Sequence, residues 1–275
     1  MSLTWFPDAR VPAMRGRPVL RWGILAPGAI AGDFTATVLA NTDQRITAVA
    51  SRSPERARRF ATRHGIERAY GSYEQLDVDP GVDIVYVAAP HSQHRPLGLL
   101  AISAGKHVLI EKPIALSAAE AEEIAVASRS AGVLAAEAMW TRYLPQFDVL
   151  HKVLGRGDLG PVRLATADVG WRMEPGAPAR FFDPAQGGGA ALDMGVYGYW
   201  FAQFAIGRPV RIQALGSMTS SGVDDQAVVT LAAEGNRHAS VTTSMAVTNS
   251  GLAAITAAPG ACGSSSRSSS RRASS

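Results

Sequence analysis

Between residues 20 and 136 the chain alternates short apolar runs with stretches of helical spacing, and this alternation constrains the fold more than any other feature. Residues 20–26 form an apolar run. A glycine-bearing turn follows, and then Ile30, Phe34 and Val38 recur at one-turn intervals. A second run, 46–50, leads into Ser53-Pro54, a helix cap and a first-turn proline, with Gly65 as the stop. Residues 82–89 read as a third strand, followed by a helix over about 94–104, a Gly105 stop and a strand at 107–110. Ser117 and Glu120 form a capping box, Gly132 ends that helix, and 133–136 read as one more strand. Parallel strands need long crossovers whereas antiparallel strands need only turns, so this rhythm predicts an α/β, doubly wound parallel sheet.

The rhythm changes after residue 137. A helix is expected near 145–154, a strand near 162–169, and a helical run from the triplet Gly187-Gly188-Gly189 through Phe204. Strands are expected at 210–218, 226–233 and 237–246, the last two joined by the hairpin signal Glu234-Gly235-Asn236. A length of 275 residues suits two domains. The expected division is an extension at 1–18, a nucleotide-binding domain at 19–137, an incomplete second domain at 138–256 and a disordered Ser/Arg-rich tail at 257–275.

The formal charge of +4 invites a nucleic-acid reading, but its distribution opposes one. Residues 1–18 carry Arg10, Arg15 and Arg17 against Asp8, and 260–275 carry three arginines and no acid, leaving 19–259 at −1. The body therefore lacks the basic footprint that a phosphate backbone requires, and no nucleic-acid partner is expected. Neither a secretory signal nor an apolar run of about 18 residues occurs, so a cytoplasmic protein without a membrane partner is the expectation. The single cysteine, Cys262, excludes an internal disulfide and a multi-cysteine zinc site.

Six segments carry chemistry. In GILAPGAIA, Ala26, Gly28 and Ala31 stand where G-x-G-x-x-G/A places its small residues, and the amides of Gly28, Ala29 and Ile30 open a helix suited to a pyrophosphate. The end of the second strand, 23 residues beyond Gly28, carries Ser51-Arg52-Ser53 rather than an acid. Hydroxyls and a guanidinium suit a 2′-phosphate, so NADP is expected over NAD, although a solvated arginine beside a helix cap reads similarly. Glu111-Lys112-Pro113 ends a strand, where ligands of open α/β sheets bind; taken alone it reads rather as a surface lysine beside a turn. Asp193 and Tyr197, four apart, share a helical face, and an ammonium beside Tyr197 would favour its phenolate; the same stretch also reads as an aromatic core. His91 and His94 follow the third strand without the carboxylates or thiols of a metal site, and are expected along the cofactor crevice. Trp140 and Arg142 open the crossover, where Arg142 could meet a phosphate or substrate oxygen or simply pack between domains.

Taken together, GILAPGAIA, VAAPHSQH, AGKHVLIEKP, EAMWTRYLP and RFFDPAQGGGAALDMGVY resemble the glucose-fructose oxidoreductase, inositol dehydrogenase and rhizopine-catabolism (Gfo/Idh/MocA) family over about 20–256. Tyr197 points to its branch of dimeric dihydrodiol dehydrogenases and NADP-dependent xylose dehydrogenases. The resemblance implies a Rossmann domain followed by an α/β domain with an open, mostly antiparallel sheet that mediates homo-oligomerisation. It implies that Lys112 and Tyr197 are catalytic with Asp193 assisting. It implies that Ala26, Gly28, Ala29, Ile30, Ser51, Arg52, His94, Glu111, Lys112, Trp140 and Arg142 face NADP. The expected reaction is hydride transfer between nicotinamide and a carbinol or carbonyl carbon of a sugar or trans-dihydrodiol; the competing class is a dinucleotide-binding sensor of the same fold without turnover. Family members continue with more strands and a final helix, whereas this pattern stops near Thr256, as a shifted reading frame, a natural truncation or a cloning artefact would each produce.

Overall fold

The structure, a computed structural model, describes residues 6–174 and 176–258. Its first sheet is built from β1 (Arg21–Leu25), β2 (Arg45–Ala50), β3 (Arg68–Tyr70), β4 (Ile84–Val87), β5 (His107–Ile110) and β6 (Ala135–Glu137). All neighbours are parallel, in the order β3-β2-β1-β4-β5-β6. The crossovers are α1 (Ala29–Asn41), α2 (Pro54–His64), α3 (Tyr73–Asp77), α4 (His94–Ser103) and α5 (Ala118–Ala131). Strand order reverses between β1 and β4, which opens a crevice beyond their carboxyl ends.

The predicted punctuation works as the residues demand. Ser53 Oγ accepts from the Arg56 N–H and Ser117 Oγ from the Glu120 N–H, while Gly65 and Gly132 end α2 and α5 in the left-handed region. Glu120 reaches back to the Leu116 N–H, so the capping box closes one residue early. Two apolar layers flank the sheet: Leu25, Val85, Val87 and Ile110 pack towards α4 and α5, and Ile24, Val49 and Tyr86 pack towards α1 and α2. The short β3 and α3 were not expected, because three and five residues are too few to show a period.

The second domain comprises α6 (Pro145–Arg156), β7 (Val162–Gly170), α7 (Val196–Ile206), β8 (Pro209–Met218), β9 (Asp224–Ala233), β10 (Arg237–Ser244) and β11 (Ala253–Ala257). Its sheet runs β11-β7-β10-β9-β8, with β7 and β10 parallel and the other three pairs antiparallel. Phe201, Ala202 and Ile206 of α7 pack on Ala165, Val229 and Val241. A Cβ at Gly198 would sit 2.5 Å from Val241 Cγ1, so glycine there permits this approach of helix to sheet.

The strand β11 was not expected, and it corrects the start of the tail. Ala257 pairs with Val162 in the sheet, and just beyond the strand the Ala258 N–H donates to the Pro161 carbonyl. Cys262 and the rest of the expected tail lie outside the described residues. Among the described residues no helix is long and apolar enough to cross a membrane.

Candidate active site

The turn between β1 and α1 is built for an anion. Gly28 is the N-cap, no side chain caps the helix, and its first turn holds no acid. The first helical bond runs from the Gly32 N–H to the Gly28 carbonyl, which leaves the amides ahead of it free among the described residues. A Cβ on Gly28 would touch nothing nearer than the Ala26 carbonyl at 4.0 Å, so this backbone faces open space. Ala26 has φ 60°, the left-handed region that glycine occupies without strain, which explains why a glycine-based fingerprint is only partly legible here.

At the end of β2 the three expected residues divide. Arg52 is exposed, and its side chain makes no hydrogen bond or ion pair among the described residues. Ser51 is buried, and its Oγ accepts from the Ser53 N–H, so it shapes the turn and does not face the crevice as expected.

The Glu111-Lys112-Pro113 turn leaves β5 beside that crevice. Lys112 Nζ donates to the Asp193 carbonyl at 2.7 Å and to Asp193 Oδ1 at 3.3 Å. Asp193 Oδ1 is also 3.5 Å from His91 Nε2, and His91 Nδ1 is 2.9 Å from the Gly187 carbonyl. Burial pushes the Asp193 carboxyl up, but the hydrogen bond from His91 and the charge of Lys112 outweigh it and hold the group below its ordinary value. Lys112 Nζ lies 5.0 Å from the centre of the Tyr197 ring, and Trp140 Nε1 donates to the Tyr197 hydroxyl at 3.1 Å. A lysine, an aspartate, a tyrosine and a histidine from both domains thus meet at the mouth of the crevice.

Several expected roles change. Asp193, expected to orient Tyr197 or a substrate hydroxyl, contacts Lys112 and His91, because residues Ala191–Gly195 form a π turn in which positions four apart no longer stack. His94 was expected to line the crevice, yet it is fully buried, with Nδ1 at 2.6 Å from the Pro113 carbonyl and Nε2 at 2.8 Å from the Ala89 carbonyl. Burial lowers its pKa to about 4 against both contacts, which marks it as a brace between β4 and the Lys112 turn. Glu111 accepts from the Tyr86 hydroxyl at Oε1 and from the Lys112 N–H at Oε2, which ties the Lys112 turn to β4. Trp140 is 56% exposed beside Tyr197, and Arg142 is exposed two residues further on. The glycine triplet meets its own chain: a Cβ at Gly187 would strike Leu116, at Gly188 the Phe181 carbonyl, and at Gly189 Asp224. Among the described residues no group of three or more His, Cys, Asp or Glu could hold a metal.

A free helix start at a parallel-sheet switch point, with an ammonium from the β5 turn meeting a carboxylate and a phenol from the second domain, is the arrangement of a two-domain, nucleotide-dependent oxidoreductase. Residues 20–138 match the model of the oxidoreductase family with an NAD-binding Rossmann fold, and 147–256 match the GFO/IDH/MocA C-terminal domain. The chain belongs to the Gfo/Idh/MocA oxidoreductase family. It is 40% identical to the trans-1,2-dihydrobenzene-1,2-diol dehydrogenase of Macaca fuscata fuscata over 88% of its own length and 73% of that protein's. The solved aldose-aldose oxidoreductase of Caulobacter crescentus, complexed with glycerol, aligns with TM-score 0.78 and 29% identity over 84% of this chain and 72% of that one. A 3-ketoreductase of Actinomadura kijaniata in complex with NADP and TDP-benzene aligns with TM-score 0.78 and 28% identity over 88% and 74%. The chain is accordingly a dehydrogenase of CH–OH groups with an NAD(P)-binding Rossmann domain.

Proposed function

We propose that this protein is an NADP(H)-dependent dehydrogenase that exchanges hydride with a carbinol or carbonyl carbon of a trans-dihydrodiol or sugar. The observation that carries the reading is the contact of Lys112 with Asp193 beneath the Tyr197 ring, at the mouth of the dinucleotide crevice. The free amides from Gly28 onward would hold the pyrophosphate, and exposed Arg52, with no acid at that position, would take a 2′-phosphate. The nicotinamide, when bound, supplies the hydride chemistry.

The side chains supply the proton chemistry and the positioning. Trp140 donates to the Tyr197 oxygen, which leaves the phenol's own proton to be shared with a substrate oxygen. Two of the three Lys112 N–H groups are engaged by Asp193, and the third remains for the same substrate oxygen. Asp193, bridged to His91, fixes the lysine head between the domains. Self-association through the second sheet is part of the proposal: Ile212, Leu215 and Met218 of edge strand β8 are exposed, with Leu215 82% accessible, and such a strand pairs readily with another.

The test is a thermal melt with NADPH and with NADH, followed by NADPH formation over a panel of aldoses and trans-dihydrodiols. A larger midpoint shift with NADPH, lost in Arg52→Asp, together with turnover of a panel member supports the reading. Equal shifts with both cofactors refute the NADP assignment, and a folded, cofactor-binding protein that turns over no panel member refutes the substrate assignment.

A further inference from the structure

We propose that Tyr86 is a positioning residue for Lys112, acting through Glu111; this rests on the reading of Lys112 as an active-site group. Tyr86 stands in the middle of β4 between Ile24 of β1 and Leu109 of β5, and is 1% exposed. A buried phenol needs a partner, and its hydroxyl donates to Glu111 Oε1 at 2.5 Å. The second oxygen of the same carboxylate accepts from the Lys112 backbone N–H at 3.1 Å. Both oxygens of Glu111 are thus pinned, one by the sheet and one by the peptide that carries the lysine.

Burial, and then the nearby charge of Glu111, push the Tyr86 phenol far above its ordinary range, so it remains a donor whenever the protein is folded. Its ring stacks on Phe34 of α1, with centroids 4.1 Å apart and planes inclined by 26°. Since α1 begins at the anion-ready turn, one side chain touches both the helix that would hold the pyrophosphate and the turn that aims the lysine. Removing only the hydroxyl keeps the stack on Phe34 and frees Glu111 Oε1. The Lys112 turn then loses its fixed orientation, while the cofactor helix keeps its packing.

The chain has only three lysines, Lys106, Lys112 and Lys152, so the test needs no substrate. Biosynthetic labelling with 13C-lysine gives each lysine side chain its own NMR signal without altering its N–H groups, and Lys112→Arg assigns the one of interest. Lys106 is the internal control: its Nζ donates to the Asp79 and Val82 carbonyls at the foot of β4, so it reports any general shift of that strand. In Tyr86→Phe the Lys112 signal is expected to move and broaden while those of Lys106 and Lys152 stay in place. Glu111→Gln should do the same, because one amide oxygen cannot replace two acceptors and the NH2 group cannot accept the Lys112 N–H. This second variant serves as the test if the first has no cooperative melt.

A fixed Lys112 signal in the folded variant overturns the proposal, and so does joint movement of Lys106 and Lys112, which marks a strand-packing role. With a substrate in hand, Tyr86→Phe should lower kcat about tenfold and leave the cofactor Kd within about twofold. Failure of the wild type to turn over any substrate would count against the function proposed above and would leave the NMR result standing.

Discussion

Asp77 closes α3 with 1% of its surface exposed, and neither carboxylate oxygen has a hydrogen-bond partner among the described residues. Burial, reinforced by the charge of Glu74 and opposed by Lys106, pushes its pKa up to about 7. In the unfolded chain an aspartate titrates near 3.9, so the native state holds a proton that the unfolded state has lost between about pH 4 and 7. Stability from this group is therefore complete below about pH 4, falls by about 1.4 kcal/mol per pH unit, and levels off above about pH 7. The total is about 4 kcal/mol, of which about 3 kcal/mol is lost between pH 5 and 8. Asp77→Asn keeps the shape and removes the titration. Urea melts of both proteins at several pH values isolate the effect, since all other titrating groups cancel in the difference. The variant should gain about 3 kcal/mol relative to wild type from pH 5 to 8. A difference that does not change with pH would refute the reasoning.

Asp193 has the opposite sign. Its carboxyl is held below the ordinary value, so its contribution is present above about pH 4 and is lost as pH falls through the folded pKa; the destabilisation in Asp193→Asn should fade in acid melts. Ala26→Gly relieves the positive φ and should raise stability by about 0.5–1 kcal/mol in denaturant titrations. Ser53→Ala removes the α2 cap and should cost about 1 kcal/mol by the same assay. Lys112→Met should lower turnover by at least about 100-fold while the NADPH-induced rise in melting temperature persists.

The parts of the fold set by local chemistry were legible in the sequence. Ser53, Gly65, Ser117 and Gly132 bound their helices where their side chains and backbone freedom require. Lys112, Asp193 and Tyr197 were legible as candidates, because their ordered segments resemble one family, and the structure gathers them at one place. Their contacts were not legible. His91 meets a carboxylate about 100 residues away, and the Asp193 side chain reached it through a π turn that no α-helical spacing anticipates. His94 and Ser51 looked like crevice residues because they follow strand ends, yet each is buried against backbone groups. The triplet at Gly187 signalled close approach correctly, but the approaching groups are Leu116, Phe181 and Asp224 of the same chain. Tyr86 gave no signal at all, since an aromatic in a buried strand is unremarkable until its partner, 25 residues on, is placed.

The most direct test of the account is the steady-state rate of NADP reduction with trans-dihydrodiols and aldoses by wild type and by Tyr197→Phe, with cofactor binding followed in parallel by thermal shift. The account predicts turnover by wild type, and a Tyr197→Phe protein that binds NADPH normally but turns over at least about 100-fold more slowly. A Tyr197→Phe protein that binds NADPH and turns over at the wild-type rate would contradict it.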